Sequence, residues 1–225
     1  MGDADVPYGL YDPCGVPGET AVKPFRSGAG KRQAMAERRQ KRMRFTEQEM
    51  GENVREIRED ENRTVFHVKG DSGEGLMTLY QVFKGCYLMY NDFHMKECCS
   101  GFKPSAQIFC IDHCREGRIE WCVDRNRYIY VESGDMQVNS REQHSSKFLF
   151  PLNHYHGLTI GFDIAEAEDS LLHVMEGFSV DIKKLRHKFC PDDHSFIMRA
   201  GAQISHIFSE LYDLPEQVRL PYFKI

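Results

Sequence analysis

Between residues 64 and 165, hydrophobic and polar positions follow the pattern of short β-strands. In the run at 158–164, apolar residues alternate with polar or small ones, which is typical of a half-buried strand. The other runs are rich in β-branched and aromatic residues and are separated by turn sequences. The predicted strands cover 65–68, 76–83, 87–94, 108–114, 119–123, 128–132, 148–150 and 158–164. About eight strands at this spacing predict a closed barrel or a jelly roll.

After residue 165 the hydrophobic period lengthens to that of helices, predicted at 165–176, 181–189 and about 193–212. The third predicted helix carries one apolar stripe, consisting of Ile197, Ala200, Ile204, Ile207, Phe208 and Leu211. Such a stripe either faces its own copy across a two-fold axis or packs against the strands of the same chain. The pattern leaves both arrangements open, and we assign the stripe to dimerisation.

The N-terminal segment differs from the rest in its charge pattern. Residues 31–44 contain seven basic residues and one acid, whereas residues 47–61 contain seven acids and two arginines. Both stretches have helix-forming composition, and Thr46 with Glu49 fits a capping box. We therefore predict three parts: an N-terminal arm with charged helical segments (1–63), a β-barrel (64–165) and a helical dimerisation region (166–225).

Composition and charge narrow the class of protein. The 225 residues carry a net charge of -5, which argues against a domain that grips nucleic acid by itself. Neither an apolar run of membrane-spanning length nor a secretory signal is visible, so we expect a cytoplasmic protein without a membrane partner. The eight cysteines form no C-x-x-C pair, which favours reduced thiols.

Motifs of enzymes are not found in the sequence. It contains no G-x-S-x-G elbow and no phosphate-binding glycine motif, so we predict no catalytic residue, no cofactor and no enzyme activity. His154 and His156 have the H-x-H spacing with which cupin-type barrels begin a metal site, but no matching acid and third histidine follow at the usual distance. Cys110, Cys114 and His113 cannot share one face of a strand. No metal site is predicted.

Polar and aromatic residues on the strands are the candidates for ligand contact. A small-molecule pocket needs apolar walls with a few placed polar groups. The predicted ligand-binding residues are His94, His113, Glu120, Trp121, Tyr128, His154 and His156. Because side chains alternate along a strand, not all of them can face inward.

Five sequence segments carry a resemblance to a known family, and they lie at 90–95, 109–121, 130–136, 151–157 and 207–212. They resemble the sensory domain of AraC-type transcription regulators of Gram-positive anaerobes, and the resemblance covers residues 64–225. It implies a mainly β fold with C-terminal helices: a cupin-like jelly-roll barrel that binds a small effector, followed by a helical dimerisation element. It also implies a homodimer, and DNA binding only through a helix-turn-helix half that is absent from this chain.

The resulting hypothesis is a ligand-sensing and dimerisation domain of a bacterial AraC-type transcription regulator. Two alternatives stay open. One is a metal-dependent cupin enzyme that uses His154 and His156. The other is a pure oligomerisation module whose barrel is filled by side chains.

Overall fold

The computed structural model describes residues 45–51, 53–103, 107–124, 127–142, 145, 147–174 and 180–225. Residues 1–44 of the predicted N-terminal arm, including its basic stretch at 31–44, lie outside the described residues. Among the described residues, no helix is both long and apolar enough to span a membrane.

The described residues form strands first and helices afterwards. The elements are α1 (Glu47–Met50), β1 (Val54–Glu59), β2 (Arg63–Gly70), β3 (Gly73–Phe83), β4 (Cys86–His94), β5 (Glu97–Cys99), β6 (Ile108–Asp124), β7 (Arg127–Glu132), β8 (Asp135–Asn139), β9 (Lys147–Leu149), β10 (Tyr155–Asp163), α2 (Ile164–Val174), α3 (Ile182–Phe189), a 3-10 turn (Pro191–Asp193), β11 (Phe196–Arg199), α4 (Ala202–Asp213) and α5 (Glu216–Phe223).

The strands form two antiparallel sheets that share strand β6. The main sheet has the order β1-β2-β3-β4-β10-β6-β8-β11. The first half of β6 pairs with β8 and β10, and its second half pairs with β7 and β9 in the other sheet, where β9 also pairs with β5. The predicted fold class, a mainly β cupin-like jelly roll with C-terminal helices, is therefore confirmed. A dimerisation role for the helices stays a prediction.

Two hydrophobic clusters lie on opposite faces of the main sheet. The inner cluster contains Phe66, Phe93 and Phe150, which are almost completely buried between the two sheets. The outer cluster contains Leu158 and Phe208, and it packs the outer face of the sheet against the C-terminal helices. Alternation along β4 and β10 thus places odd-numbered positions inside and even-numbered positions outside.

The prediction of an acidic helix at 47–61 is correct for its first turn, Glu47–Met50, and wrong for the residues that follow. The capping box forms as predicted: the Thr46 hydroxyl accepts a hydrogen bond from the Glu49 backbone N–H at 3.3 Å, and the Glu49 carboxylate accepts one from the Thr46 N–H at 2.9 Å. Gly51, at φ 126°, ends this short helix. The chain then forms β1, an edge strand whose alternating charges suit the solvent side of a sheet edge.

The predicted helix at 193–212 begins too early. Residues 196–199 instead form β11, which pairs with β8, and α4 begins only at Ala202. Ile197 therefore packs against the inner cluster, so the six stripe residues do not share one helix face. The predicted turn at 115–117 is likewise an irregular point within the continuous strand β6. The helices predicted at 165–176 and 181–189 are confirmed within two residues, and Asp181 caps the second.

Two glycines on β10 make room for aromatic rings inside the sandwich. Gly161 pairs with Tyr87 on β4, and a Cβ at Gly161 would lie 2.0 Å from the Tyr87 Cζ atom. A Cβ at Gly157 would lie 2.4 Å from the Tyr155 hydroxyl oxygen. Both rings therefore pack closely on the bare backbone of these glycines, and both are buried.

We expect Gly161→Ala to lower the free energy of unfolding by about 1–3 kcal/mol, the usual cost of overpacking a core. Tyr87 is only 3% exposed, so its ring cannot move into solvent. Gly201→Ala is the matched control, because nothing lies within 4 Å of a Cβ at that position; its effect should stay within about 1 kcal/mol. Urea denaturation measures both, and equal effects would contradict the close packing.

Candidate functional site

A cavity of about 170 Å³ lies between the two sheets. Its walls are mostly apolar and include Val68, Met77, Met89, Ile119 and Trp121. A small set of polar side chains lines it as well: Asn91, Asp112, Gln137, Asn139, Arg141 and Thr159. Apolar walls with a few placed polar groups are typical of small-molecule sites.

Four of these side chains, those of Asn91, Asn139, Arg141 and Thr159, bind the carboxylate of Asp112 directly or through Thr159, and Asp112 is only 6% exposed. Arg141 donates to Oδ1 at 2.7 Å, and the Thr159 hydroxyl donates to the same oxygen at 2.6 Å. Asn139 donates to Oδ2 at 2.6 Å, and Asn91 donates to the Thr159 hydroxyl at 3.2 Å. Because every member is held by a neighbour, this buried network can tolerate a charge inside the sandwich.

Arg141 supplies the positive charge of the network from an unusual backbone conformation. Its φ is 59°, in the left-handed region that a non-glycine residue seldom adopts. Burial, the largest single effect, lowers the pKa of the guanidinium, but the Asp112 carboxylate together with Cys110 and Tyr87 outweighs burial and raises the pKa. As an ion pair at 2.7 Å, Arg141 and Asp112 carry no net charge. Asn139 adds a buried side-chain oxygen that has no hydrogen-bond partner among the described residues.

The cysteines and tyrosines around the cavity are uncharged. Burial raises the pKa of Cys98 to about 12 and that of Tyr87 well above its ordinary value. Burial also raises the pKa of Cys110, whose sulfur lies 3.4 Å from the Tyr87 hydroxyl. A thiol must be deprotonated to act as a nucleophile, so neither Cys98, which lines the cavity, nor Cys110 acts as one at neutral pH.

Among the seven predicted ligand-binding residues, the structure places Trp121 in the cavity wall and the other six elsewhere. On β6, the prediction of Glu120 fails because the strand changes which of its positions face the cavity. Cys110, Asp112 and Cys114 face inward, and after a bulge at Arg115, which leaves Cys114 opposite Gly157 and Glu116 opposite His156, the inward positions become odd-numbered, as at Ile119. Glu120 accordingly faces away from the cavity and pairs with Arg118 at 2.6 Å. Tyr128 on β7 is 58% exposed.

His113 lies on the outer face of the main sheet, under helix α4. Its ring stacks on Phe208 with 4.2 Å between ring centroids. Tyr212 donates its hydroxyl proton to the backbone carbonyl of His113 at 2.9 Å, and the ring Nδ1 lies 3.2 Å from the same hydroxyl. Burial lowers the pKa of His113 to about 4, an effect that the carboxylate of Asp135 only partly opposes. His113 therefore connects the strand to the helix as a neutral ring.

The remaining predicted histidines gather at one end of the outer sheet face. His94 and His156 lie beside Asp92, and the His154 ring is 6.2 Å from that of His156, measured between centroids. None of the described residues that line the cavity is a histidine. The residues that line the cavity therefore do not fit the histidine-based metal centre that the cupin-enzyme alternative requires.

The predicted dimerisation stripe is divided between different environments. Phe208 is 4% exposed and packs on the sheet, whereas Ile207 is 57% exposed. Ala200, Ile204 and Leu211 are partly buried against the outer cluster. Part of the stripe thus packs on its own chain, and its role in dimerisation stays a prediction.

Sequence reasoning missed most of the cavity's polar network. Asp112 carried a usable signal, because it is a lone carboxylate within an otherwise apolar strand sequence at 108–114. Arg141 lies in a polar loop sequence, where no pattern distinguishes a buried arginine from a solvated one.

Comparisons with known proteins identify no family. No protein-family profile and no curated protein matches the chain. Among solved structures, the chain is similar to the Clostridium difficile EutQ protein, with 17% identity over 51% of this chain and 73% of that chain and a TM-score of 0.25. It is also similar to the AraC-like transcriptional activator CuxR, with 9% identity over 76% of this chain and 56% of that chain and a TM-score of 0.29.

A third similar structure is a single-residue variant of Bacillus subtilis oxalate decarboxylase, with 12% identity over 88% of this chain and 53% of that chain and a TM-score of 0.22. The chain thus spans about half the length of the activator and of the decarboxylase. Identities and TM-scores this low support no conclusion about function. The fold is established by the strand order of the chain itself.

We expect the buried neutral state of His113 to make stability dependent on pH. Between its ordinary pKa of 6.5 and about 4, the unfolded chain binds a proton at this residue that the folded chain does not. Stability should therefore fall as the pH is lowered through this window. The variant His113→Phe keeps a ring against Phe208 but cannot be protonated, so its urea midpoint should fall less between pH 7 and pH 5 than that of the wild type. Equal falls would contradict the lowered pKa.

Proposed function

We propose that the chain is a ligand-sensing domain of a bacterial AraC-type transcription regulator and that its cavity binds a small effector. The observation that carries this proposal is the apolar cavity between the sheets with the Asp112–Arg141 network in its wall. Such a cavity costs packing energy, because its lining atoms lose contacts on one side. A bound molecule would restore these contacts. We propose a binding role and no catalytic one, since the titratable wall groups are either paired or neutral.

The dimensions and polarity of the cavity define the class of effector. A cavity of about 150 Å³ accommodates benzene, so about 170 Å³ suits a molecule with about six to ten non-hydrogen atoms. The walls favour an apolar or aromatic body. The unpartnered oxygen of Asn139 favours a donor group such as a hydroxyl or ring N–H. A phenol or an indole therefore fits this chemistry better than a sugar, which would bury too many polar groups.

Strand β6 offers a direct route from the cavity to the helices. Asp112 lies in the cavity wall, and its neighbour His113 stacks under Phe208 of α4. Tyr212 of the same helix binds the His113 carbonyl, and Tyr90 donates to the Leu211 carbonyl at 2.6 Å. An effector that binds one arrangement of β6 better than another would shift the position of α4, because its differential affinity sets the population of each arrangement.

The regulatory part of the proposal rests on the resemblance of the sequence to AraC-type regulators. One of the resembling segments, residues 207–212, lies in α4, where it contacts the outer sheet face. In a homodimer, a shift of α4 would change how two helix-turn-helix halves are presented to DNA. The exposed Ile207 is the stripe residue best placed to contact a second copy.

Trp121 is the only tryptophan of the chain and lies in the cavity wall, so its fluorescence should report binding directly. We expect phenol or indole analogues without overlapping fluorescence to change its emission in a saturable way and to raise the melting temperature. Ribose is the polar comparison and should do neither. If none of the apolar probes changes the emission or the melting temperature, the proposal is wrong.

A matched pair of variants locates the binding. Val68→Phe fills the cavity, because Val68 is a buried part of its wall, and should weaken binding at least about tenfold. Val218→Phe makes the same change on the exposed side of α5 and should leave binding unchanged. Both must first melt cooperatively, since overpacking at Val68 costs about 1–3 kcal/mol. Equal affinities in the two variants would place the ligand outside the cavity.

A further inference from the structure

A cluster of potential metal ligands lies on the outer face of the main sheet, away from the cavity. Asp92 and His94 on β4 are two residues apart and therefore point to the same face. His156 on β10 is the direct cross-strand partner of Asp92. The strand register thus brings two imidazoles and one carboxylate together without any loop.

The geometry of the three side chains converges on one point. The Nε2 atoms of His94 and His156 each lie 2.8 Å from Oδ1 of Asp92, and all three ligand atoms lie within 4.8 Å of one another. Oδ1 is nevertheless shielded from solvent and has no hydrogen-bond partner among the described residues. The two imidazole nitrogens therefore lie close to this oxygen without donating a hydrogen bond to it. Ligand atoms that surround a shared cation have the same arrangement.

We propose that Asp92, His94 and His156 bind a divalent transition-metal ion of the Zn²⁺ class on the outer sheet face. Ligand atoms that share tetrahedral Zn²⁺ at bond lengths of about 2.1 Å are separated by roughly 3.4 Å, so the two 2.8 Å distances would have to open by about 0.6 Å when the ion binds. Imidazole nitrogens favour zinc, nickel or copper over magnesium and calcium, which prefer oxygen. Three protein ligands leave further positions for water or a fourth ligand.

The surroundings can tolerate the small ring movements that closure needs. By register, Glu74 lies opposite His94 and Glu116 lies opposite His156, and their carboxylates pair with His67 at 2.9 Å and with Arg115 at 3.6 Å. The side chain of His94 is 63% exposed and that of His156 is 34% exposed, so both rings can turn.

His154 is placed to support the cluster. Its Nδ1 lies 3.0 Å from the backbone carbonyl of Leu152, which can only accept, so Nδ1 carries the proton and Nε2 is left as an acceptor. This is the arrangement that ligating histidines adopt. The site does not depend on the proposed effector, because it lies on the opposite face of the sheet.

Titration calorimetry of the chelator-treated full chain with ZnCl₂ tests the proposal. We expect one equivalent of Zn²⁺ to bind and to raise the melting temperature, because the ion links two adjacent strands only in the folded state. Each of Asp92→Asn, His94→Ala and His156→Ala should weaken binding at least about tenfold, the lower bound for losing even a supporting group. His206→Gln, on the exposed side of α4, is the control and should bind like the wild type.

The thiols need a separate readout, because cysteine also binds zinc. Cobalt(II) at the proposed site should give d–d absorption without thiolate-to-metal charge transfer. The proposal is overturned if Zn²⁺ does not bind, or if the three variants bind like the wild type. It is also overturned if the bound cobalt shows thiolate absorption that Cys99→Ser with Cys122→Ser removes. Without metal, each variant must melt at the wild-type temperature, because only then does weaker binding report the loss of a ligand and not the loss of the fold. A variant that melts lower is replaced by His94→Gln or His156→Gln.

Discussion

The continuity of strand β6 is the constraint on which the rest of the architecture depends. This strand has 17 residues and belongs to both sheets, so the positions that face the interior change from even to odd numbers along it. A bulge at Arg115, between Cys114 opposite Gly157 and Glu116 opposite His156, makes this change. Asp112 and Trp121 can therefore line the same cavity although one position is even and the other odd. His113 precedes the bulge and faces outward, under the helices.

A buried charge pair in an otherwise apolar interior carries a desolvation cost. Replacing such a pair with well-packed apolar residues is often neutral or stabilising, so its presence is weak evidence for a role in stability alone. In this chain the pair is held by Thr159 and Asn139, and it adjoins the cavity. A fixed, neutral pair with directional donors and acceptors is better suited to orienting a guest molecule than to filling a core.

The sequence predicted those features that depend on local patterns. Strand alternation located β10, and the capping box located the start of α1 at Thr46. It failed where pairing with distant strands decides the conformation. Residues 54–59 have helix-forming composition, but β2 offers them a free edge, and β8 does the same for residues 196–199. Hydrogen bonding along an open edge outweighs weak local propensity in both places.

The candidate site shows the same division between local and distant information. Alternation correctly indicated that the predicted residues could not all face inward, but the bulge at Arg115 depends on the pairing with β10 and cannot be read from β6 alone. The two faces of the main sheet therefore carry different chemical groups. Inward positions of β4 and β10 carry aromatic rings and the Asn91–Thr159 pair, while outward positions carry Asp92 and the histidines. The same two strands form part of both faces of the main sheet. A metal ion that links β4 to β10 on the outer face would therefore also restrict the cavity wall on the inner face.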